Sequence, residues 1–369
     1  MPTQINGQAE KLELMIAGHA HSDWSSYEID SDLLTPADAW NMTLGMSGNE
    51  IPPDVATAAP VVVRLDGQTI LTGRVDEITH TVSKTAHSFS ISGRDNAAAL
   101  LDCAAPIFSA QQATLEQLCT AITHDFGIGK PRINADKTRL RKKIAIDPGD
   151  TAWSALSRVA EANGLWPWFD PDGTLVIGGP DYSVTPVGSL IMNRDGVGNN
   201  VISLTKSASV AERYSKVTVY GQFPGNSTES GLPALRGSKI DTGLNGFWNR
   251  PKVVIDHECD SNSMCESRAA KLIADSRLHG LTLTAVVRGH YIDRDMSLLW
   301  EPGQRVVLTA NPLGIASQVF FLMGRKFTRS RSEGTRTELR LKEDGIWAIE
   351  AHPHSHHRRG KNALQGEIQ

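Results

Sequence analysis

Ile91-Ser-Gly-Arg-Asp-Asn-Ala-Ala-Ala-Leu-Leu-Asp-Cys-Ala-Ala105 closes a strand pair whose pattern returns, in weaker form, late in the chain. Upstream of it, Val61-Val-Val-Arg-Leu65 runs through an Asp66-Gly67 turn into Ile70-Leu-Thr-Gly73-Arg74, and a pair of alternating arms ends in Phe89-Ser-Ile91. Near the C-terminus, Arg305-Val-Val-Leu-Thr309 leads through Asn311-Pro-Leu-Gly314 into Val319-Phe-Phe-Leu-Met-Gly324-Arg325. Another pair of arms turns at Ser332-Glu-Gly-Thr335 and ends in Leu339-Arg-Leu341. Each stretch reads as strand, turn, strand to Gly-Arg, then hairpin. Two copies of one β-unit in one polypeptide suggest a protein that builds a ring.

Working outward, residues 11 to 103 read as β, with short strands such as Leu12–Ile16 and Trp40–Leu44 between Gly, Pro, Asp and Asn punctuation. Phe89 and Ile91 point one way and Ser88, Ser90 and Ser92 the other, as on a half-buried antiparallel strand. The middle changes character. Thr114-Leu-Glu-Gln117 is a capping box, and Leu115, Leu118, Ile122 and Phe126 form one helical stripe before Gly127. A second helix opens at Asp150-Thr151, carries Trp153, Leu156 and Val159, and stops at Asn163-Gly164. It feeds a hairpin, Leu165–Phe169 and Thr174–Ile177, that turns at Asp170-Pro-Asp-Gly173. Period two returns at Tyr214–Tyr220; Gly221 to Arg250 reads as a long surface loop. A third helix is expected from a capping box at Ser263-Met-Cys-Glu266, burying Ala269, Leu272, Ile273 and Leu278 and ending at His279-Gly280.

The expected organisation is therefore mainly β, α+β overall. Its parts are a first β-unit (1–105), a small α/β insert (106–185), a β-rich connecting region with the long loop (186–262), a helix plus second β-unit (263–346), and a flexible tail rich in His and Arg (347–369).

Bulk properties narrow the function. A chain of 369 residues makes several domains, and 40% hydrophobic with 21% charged residues is ordinary for a globular protein. A net charge of −4 implies no general affinity for nucleic acid or anionic membranes. Cys103, Cys119, Cys259 and Cys265 form no Cys-x-x-Cys pair and read as reduced, mostly buried thiols. The N-terminus lacks the basic and apolar regions of a signal peptide, and no apolar run approaches the ~20 residues that span a bilayer. Synthesis and folding in a reducing cytoplasm, without stable membrane insertion, are expected.

The order of these parts resembles the baseplate hub proteins of Mu-like contractile-tailed bacteriophages, within the wider late-control family of tail hubs. The matching pieces are Ser92-Gly-Arg-Asp-Asn-Ala-Ala-Ala-Leu-Leu-Asp-Cys103, Thr114–Leu118, Asp150-Thr-Ala-Trp-Ser-Ala-Leu156 through the Asp172-Gly173 turn, Tyr214–Tyr220, Ser267-Arg-Ala-Ala270 and Leu299-Trp-Glu-Pro-Gly-Gln304. Together they span most of residues 12 to 342, with poor matches at 20–60 and 221–250. The resemblance implies a homotrimer in which each chain carries two similar, β-barrel-like tube domains, so that three chains present six around a ring. It implies a structural hub between a sixfold tail tube and a threefold spike, beside other baseplate proteins, with a channel through which DNA passes as transient cargo. Such a hub would be assembled in the host cytoplasm and reside in the baseplate of the virion tail, with no catalysis, cofactor or metal. Closing strands around a ring also removes sheet edges that invite aggregation.

Within the repeat, Gly73 and Gly324 fit a bulge or close backbone approach. The arginines beside them, Arg74 and Arg325, are candidates to fork onto a carboxylate across a subunit boundary. An arginine on an exposed strand face is the rival reading. Other residues invite chemistry. Asp293 with Asp295, or Asp76 with Glu77, could be drawn as the acid and base of a tail-associated cell-wall hydrolase, the chief alternative, yet no aromatic cleft pattern surrounds them. Trp166 and Trp168, with Trp153, could stack a sugar in a carbohydrate-binding module, but packing beneath the second helix is the expectation. The Asp170–Gly173 turn lacks the later ligands of a calcium loop. His257-Glu-Cys259 lacks the Pro-Cys-x-x-Cys of a deaminase. Arg139-Leu-Arg-Lys-Lys143 reads as a solvated strand edge, and the histidines from His352 to His357 as a mobile polar tail.

Overall fold

In a computed structural model, residues 10–346 are described apart from 46–54, 85–86, 108, 111–112, 136–143, 147–148, 162–164, 222–234, 245–247, 257–258, 260, 294 and 296. The basic run Arg139–Lys143, the Asn163-Gly164 stop, the His257-Glu258 pair and the tail from Trp347 lie outside the described residues.

The first unit comprises β1 (Leu12–Ile16), β2 (His19–His21), β3 (Ser26–Asp32), β4 (Ala39–Gly45), β5 (Pro60–Leu65), β6 (Gln68–Val82) and β7 (His87–Asp95). Asp66 and Gly67 both take positive φ, 47° and 84°, which matches the twist of the β5–β6 hairpin. On β7, Phe89 and Ile91 are buried and the intervening serines face outward, as the alternation requires.

A small α/β unit follows: α1 (Ala97–Asp102), β8 (Ser109–Ala110), α2 (Leu115–Thr123), β9 (Arg132–Ile133), β10 (Ile144–Ala145), α3 (Ala152–Glu161), β11 (Trp166–Phe169) and β12 (Leu175–Gly178). The capping box at Thr114 and Gln117 is formed in both directions, at 3.2 and 2.9 Å. Thr151 caps the next helix through Ser154 N–H. Leu115, Leu118, Ile122, Trp153, Leu156 and Val159 share one core. The tryptophans depart from expectation. Pro167 and Phe169 take the buried face of β11, so Trp166 and Trp168 share the opposite, half-exposed face instead of packing beneath α3. Trp166 packs near Leu33, Leu34 and Phe321, with the Lys271 ammonium 5.2 Å from its ring centroid.

Next come β13 (Gly188–Ile191) and β14 (Val201–Ala208), then β15 (Lys216–Gly221), β16 (Leu235–Ile240), β17 (Pro251–Asp256) and the long helix α4 (Asn262–Gly280). The expected surface loop from Gly221 thus contains a strand, β16, which pairs with β15. The helix begins earlier than its capping-box motif suggested: Ser261 is the cap, accepting from Met264 N–H, because that hydroxyl sits one residue before the first helical turn. Val217, Val219, Cys259, Cys265, Ala269 and Ile273 form the core between α4 and this three-stranded sheet. Gly237 permits the contact, since a Cβ there would meet the Glu266 backbone nitrogen at 2.1 Å.

The last strands are β18 (Leu281–Arg288), β19 (Tyr291–Asp293), β20 (Leu298–Leu299), β21 (Arg305–Ala310), β22 (Ile315–Ser330) and β23 (Gly334–Glu343). One 13-stranded sheet joins both units along the path β14-β18-β23-β22-β3-β4-β7-β6-β5-β1-β2, with β13 and β21 branching off β22. The repeat is visible in this order. The first unit runs β1-β5-β6-β7-β4-β3 and the second β13-β21-β22-β23-β18-β14, the same succession in sequence and in space. One ladder differs: β1 meets β5 antiparallel, whereas β13 meets β21 parallel. Even the bulges agree, falling between Val75 and Glu77 in one unit and between Leu322 and Gly324 in the other. The second unit thus takes in β13 and β14, upstream of the helix with which the sequence reading opened it. Residues 209–280 interrupt it where the first unit has only the short Leu33–Asp38 connection.

Neither unit is a barrel. Among the described residues the sheet path ends at β14 on one side and β2 on the other, so the barrel-like expectation is corrected to an open, continuous sheet. The physical reason is the mutual pairing of the units. An edge strand of the first, β3, continues onto the second half of β22 and does not turn back on its own unit.

Candidate assembly interface

The seam between the units combines buried apolar side chains with ion pairs. Strand β22 is long enough to serve two partners: Ile315 to Phe321 pair with β21, and Gly324 to Arg329 pair with β3. On the inward face, Ile29 lies opposite Phe327, both fully buried, and Tyr27 and Arg325 are also buried. On the outward face, Lys326 reaches Glu28 at 2.7 Å, and Arg340 binds Asp30 and, at 2.8 Å, Asp32. These charged partners come from β3, β22 and β23, so the ion pairs tie both units together.

A buried hydrogen-bond chain crosses the same seam. The Thr337 hydroxyl donates to Gly289 O at 2.6 Å, which leaves its oxygen to accept from His290 Nδ1 at 2.9 Å. His290 Nε2 then accepts from the Tyr27 hydroxyl at 2.9 Å. This order suits a neutral imidazole carrying its proton on Nδ1, and the ring also stacks on Phe327 at 4.1 Å. Burial, reinforced by the Arg325 charge, pushes the His290 pKa down to about 3. Burial also raises that of the Tyr27 hydroxyl.

The four glycine and arginine candidates occupy unlike places. Gly324 lies in the seam, where a Cβ would meet Asp32 Oδ2 at 2.3 Å and Arg340 Nη2 at 2.6 Å. Gly73 presses against β7, where a Cβ would meet Arg94 O at 2.0 Å. Arg325 is only 2% exposed, its guanidinium carbon 3.9 Å from the Phe327 ring centroid. Among the described residues it forks onto no carboxylate: Nη2 approaches Ile70 O at 3.4 Å, and Nε and Nη1 have no hydrogen-bond partner there. Burial lowers its pKa to about 10, with Asp38 opposing, so it remains a cation. Arg74 is exposed and donates to Ala58 O at 2.9 Å. The two Gly-Arg pairs are not structural equivalents either. The bulges align Gly324 with Glu77 and Arg325 with Ile78. The sequence motif therefore marked the right strands and the wrong register.

A cleft of 490 Å3 lies between the seam and the α/β unit, lined among others by Asp38, Asp95, Trp168, Asp170, Glu301 and Arg325. Burial pushes Asp38 up to about 6, and raises Asp95 as well, with Asp38 adding like-charge repulsion. Asp95 also accepts from Ala97 N–H at the start of α1. These carboxyls hold backbone in place. The pairs proposed as hydrolase acid and base lie elsewhere. Asp76 is bound by Arg94 at 2.6 Å, Glu77 accepts from Thr79, Asp293 ends the β19 strand and Asp295 lies exposed just beyond it. No group of three or more His, Cys, Asp or Glu suited to a metal occurs among the described residues. Nor is any helix among them long and apolar enough to cross a membrane. Cys119, Cys259 and Cys265 are buried free thiols and Cys103 is exposed.

Comparison with known proteins places this architecture. Four family models match consecutive segments: the N-terminal domain of Mu phage baseplate assembly protein GpP-like proteins (11–95), the second domain of baseplate hub protein gp44-like proteins (97–179), the third domain of tail protein NMB1110-like proteins (213–273) and a tail protein C-terminal domain (275–346). The crystal structure of a tail protein from Neisseria meningitidis MC58 superposes with a TM-score of 0.83 at 36% identity, covering 94% of this chain and 100% of that one. A 43 kDa tail protein of prophage MuSo2 from Shewanella oneidensis shares the fold, with a TM-score of 0.78 at 20% identity over 91% and 98% of the two chains. Baseplate hub protein gp44 of Escherichia phage Mu is 22% identical over 349 residues, 89% of this chain and 87% of gp44. Duplicated sheet, interposed domains and matched relatives agree, and the chain belongs to the baseplate hub tail proteins of Mu-like bacteriophages.

Proposed function

We propose that three copies of this chain form a closed ring at the centre of the baseplate, joining the sixfold tail tube to the threefold spike. The observation that carries this reading is the pair of units with one strand order, already joined edge to edge within the chain. A trimer of such chains offers six equivalent sheet units to the tube while keeping threefold symmetry for the spike. Free strand edges of the sheet then meet other copies, and the ring leaves a channel for DNA. Other baseplate proteins dock outside it, and the ring is assembled in the host cytoplasm. The work is geometric, and no catalysis is assigned. Arg74, exposed where β6 leaves β5, lies nearest to the subunit boundary of the four glycine and arginine candidates. Light scattering on the purified chain, alone and with its spike protein, tests the reading. A threefold mass and an annulus in negative stain are expected. A monomer under both conditions would overturn it.

A further inference from the structure

Among the strand edges with no pairing strand among the described residues, two stand out: β6 beyond Asp76, on the side away from β7, and β14 on the side away from β18. We infer that these edges pair with each other across copies of the chain, antiparallel, with Val82 opposite Leu204, Thr81 opposite Thr205 and His80 opposite Lys206. The inference rests on the proposed ring and adds to it a surface and a register.

The register follows from the repeat. Arg325 pairs with Leu339 as Ile78 pairs with Ile91, so Arg329 corresponds to Val82. Leu339 faces Ala285, which faces Leu204; Ile91 faces Met42, which faces Tyr27. Leu204 therefore corresponds to Tyr27. Within the chain Tyr27 lies opposite Arg329, so between chains Leu204 lies opposite Val82. Continuing the ladder sets Thr79 against Ser207 and Ile78 against Ala208.

The chemistry of both edges fits. Val82 is 70% exposed and Ile202 41%, whereas Arg329, the seam residue that corresponds to Val82, is half-buried. One face of the ladder pairs threonine with threonine and threonine with serine, which hydrogen-bond across strands; the other pairs Val82 with Leu204 and Ile78 with Ala208, on either side of His80 with Lys206. An unpaired edge of this length invites association, and here a specific partner edge exists on the same chain. Within one chain these edges lie at the two ends of the run β14-β18-β23-β22-β3-β4-β7-β6 and do not pair with each other. At ~4.8 Å per strand the run spans about 34 Å along the sheet. Three copies close the ring with eight strands each.

The test uses the full chain carrying Cys103→Ser and the pair Thr81→Cys with Thr205→Cys, each variant first matched to its parent in thermal unfolding. Oxidation is expected to give reductant-reversible covalent species that stop at three chains. A control, Thr79→Cys with Thr205→Cys, places the thiols two residues out of step, about 7–8 Å apart, and should cross-link on the order of ten-fold less. A threefold particle by scattering with no in-register cross-link, or with the control cross-linking better, overturns the ladder and leaves the ring standing. A particle that stays monomeric with and without the spike overturns both.

Discussion

The seam inside the chain and the edges at its ends occupy corresponding positions and differ in chemistry. At the seam, Ile29 meets Phe327 with neither exposed, and Tyr27, His290 and Arg325 are buried around them. At the corresponding edge positions stand Lys206 and His80, with Thr81, Thr205 and Ser207 beside them. The seam holds within the folded chain and buries its aromatic, aliphatic and hydrogen-bonded side chains together. The edges stand in solvent in the single chain and carry mostly polar side chains beside the exposed Val82. On the inferred pairing, the same strand order serves a permanent junction and a reversible one, because side chains, not backbone, set the strength of each.

The seam should therefore break the monomer when damaged. Phe327→Ala removes a fully buried ring that also supports His290 and Arg325, and should cost about 3–5 kcal/mol in urea unfolding. A loss under about 1 kcal/mol would mean that the two units are held together elsewhere. Arg340→Ala comes next. It leaves Asp30 and Asp32 side by side, with Lys326 still 3.6 Å from Asp30, and the group is mostly covered, so about 1–3 kcal/mol is expected by the same measurement. An unchanged midpoint would show that these ion pairs are ornaments of an apolar joint.

The His290 chain gives the seam a pH signature. The folded imidazole titrates near 3 while the unfolded one titrates near 6.5. Between these values the unfolded chain holds the extra proton, so stability is complete above about 6.5 and declines as pH falls toward 3. One proton corresponds to about 1.4 kcal/mol per pH unit. In His290→Phe this share of the acid sensitivity should vanish. The Asp38 and Asp95 carboxyls, whose raised pKa values act in the opposite sense, remain in both proteins and cancel in the comparison. Equal slopes of stability against pH between 4 and 6 in wild type and variant would refute the assignment of a buried neutral imidazole.

How much of this was legible in the sequence follows from the range of each signal. Alternation along β7, the Asp66-Gly67 turn and the Thr114 capping box are local, and they stand where the sequence placed them. The repeat was legible as order but not as register, because a single bulge shifts equivalence by residues that no local pattern counts. Hence the Gly-Arg pairs misled. Trp166 and Trp168 were rightly put on one face of β11, but which face points inward depends on the neighbouring sheet and α4. Strand β16 was hidden because Leu235–Ile240 carries Arg, Gly, Ser and Lys, residues of a loop, and becomes a strand only through its ladder with β15. The Tyr27–His290–Thr337 chain joins residues more than 250 positions apart, and nothing in the sequence announced it.

The smallest effect sharpens the comparison most. Thr205→Ala lies on an exposed edge, with its backbone still paired to Thr284 of β18. Truncating an exposed hydroxyl should change monomer stability by no more than about 0.5 kcal/mol. If Thr205 meets Thr81 of a neighbouring copy, three such hydroxyl pairs disappear from each ring at once. At roughly 0.2–1 kcal/mol per pair, the concentration for half-assembly should rise several-fold while the monomer melts unchanged. The corresponding seam position is Glu28, which binds Lys326, so truncation there removes an ion pair within the chain and should leave half-assembly where it was. Sedimentation across a concentration series separates the two variants. Equal behaviour of Thr205→Ala and Glu28→Ala would mean that the edges do not meet in the way the seam does.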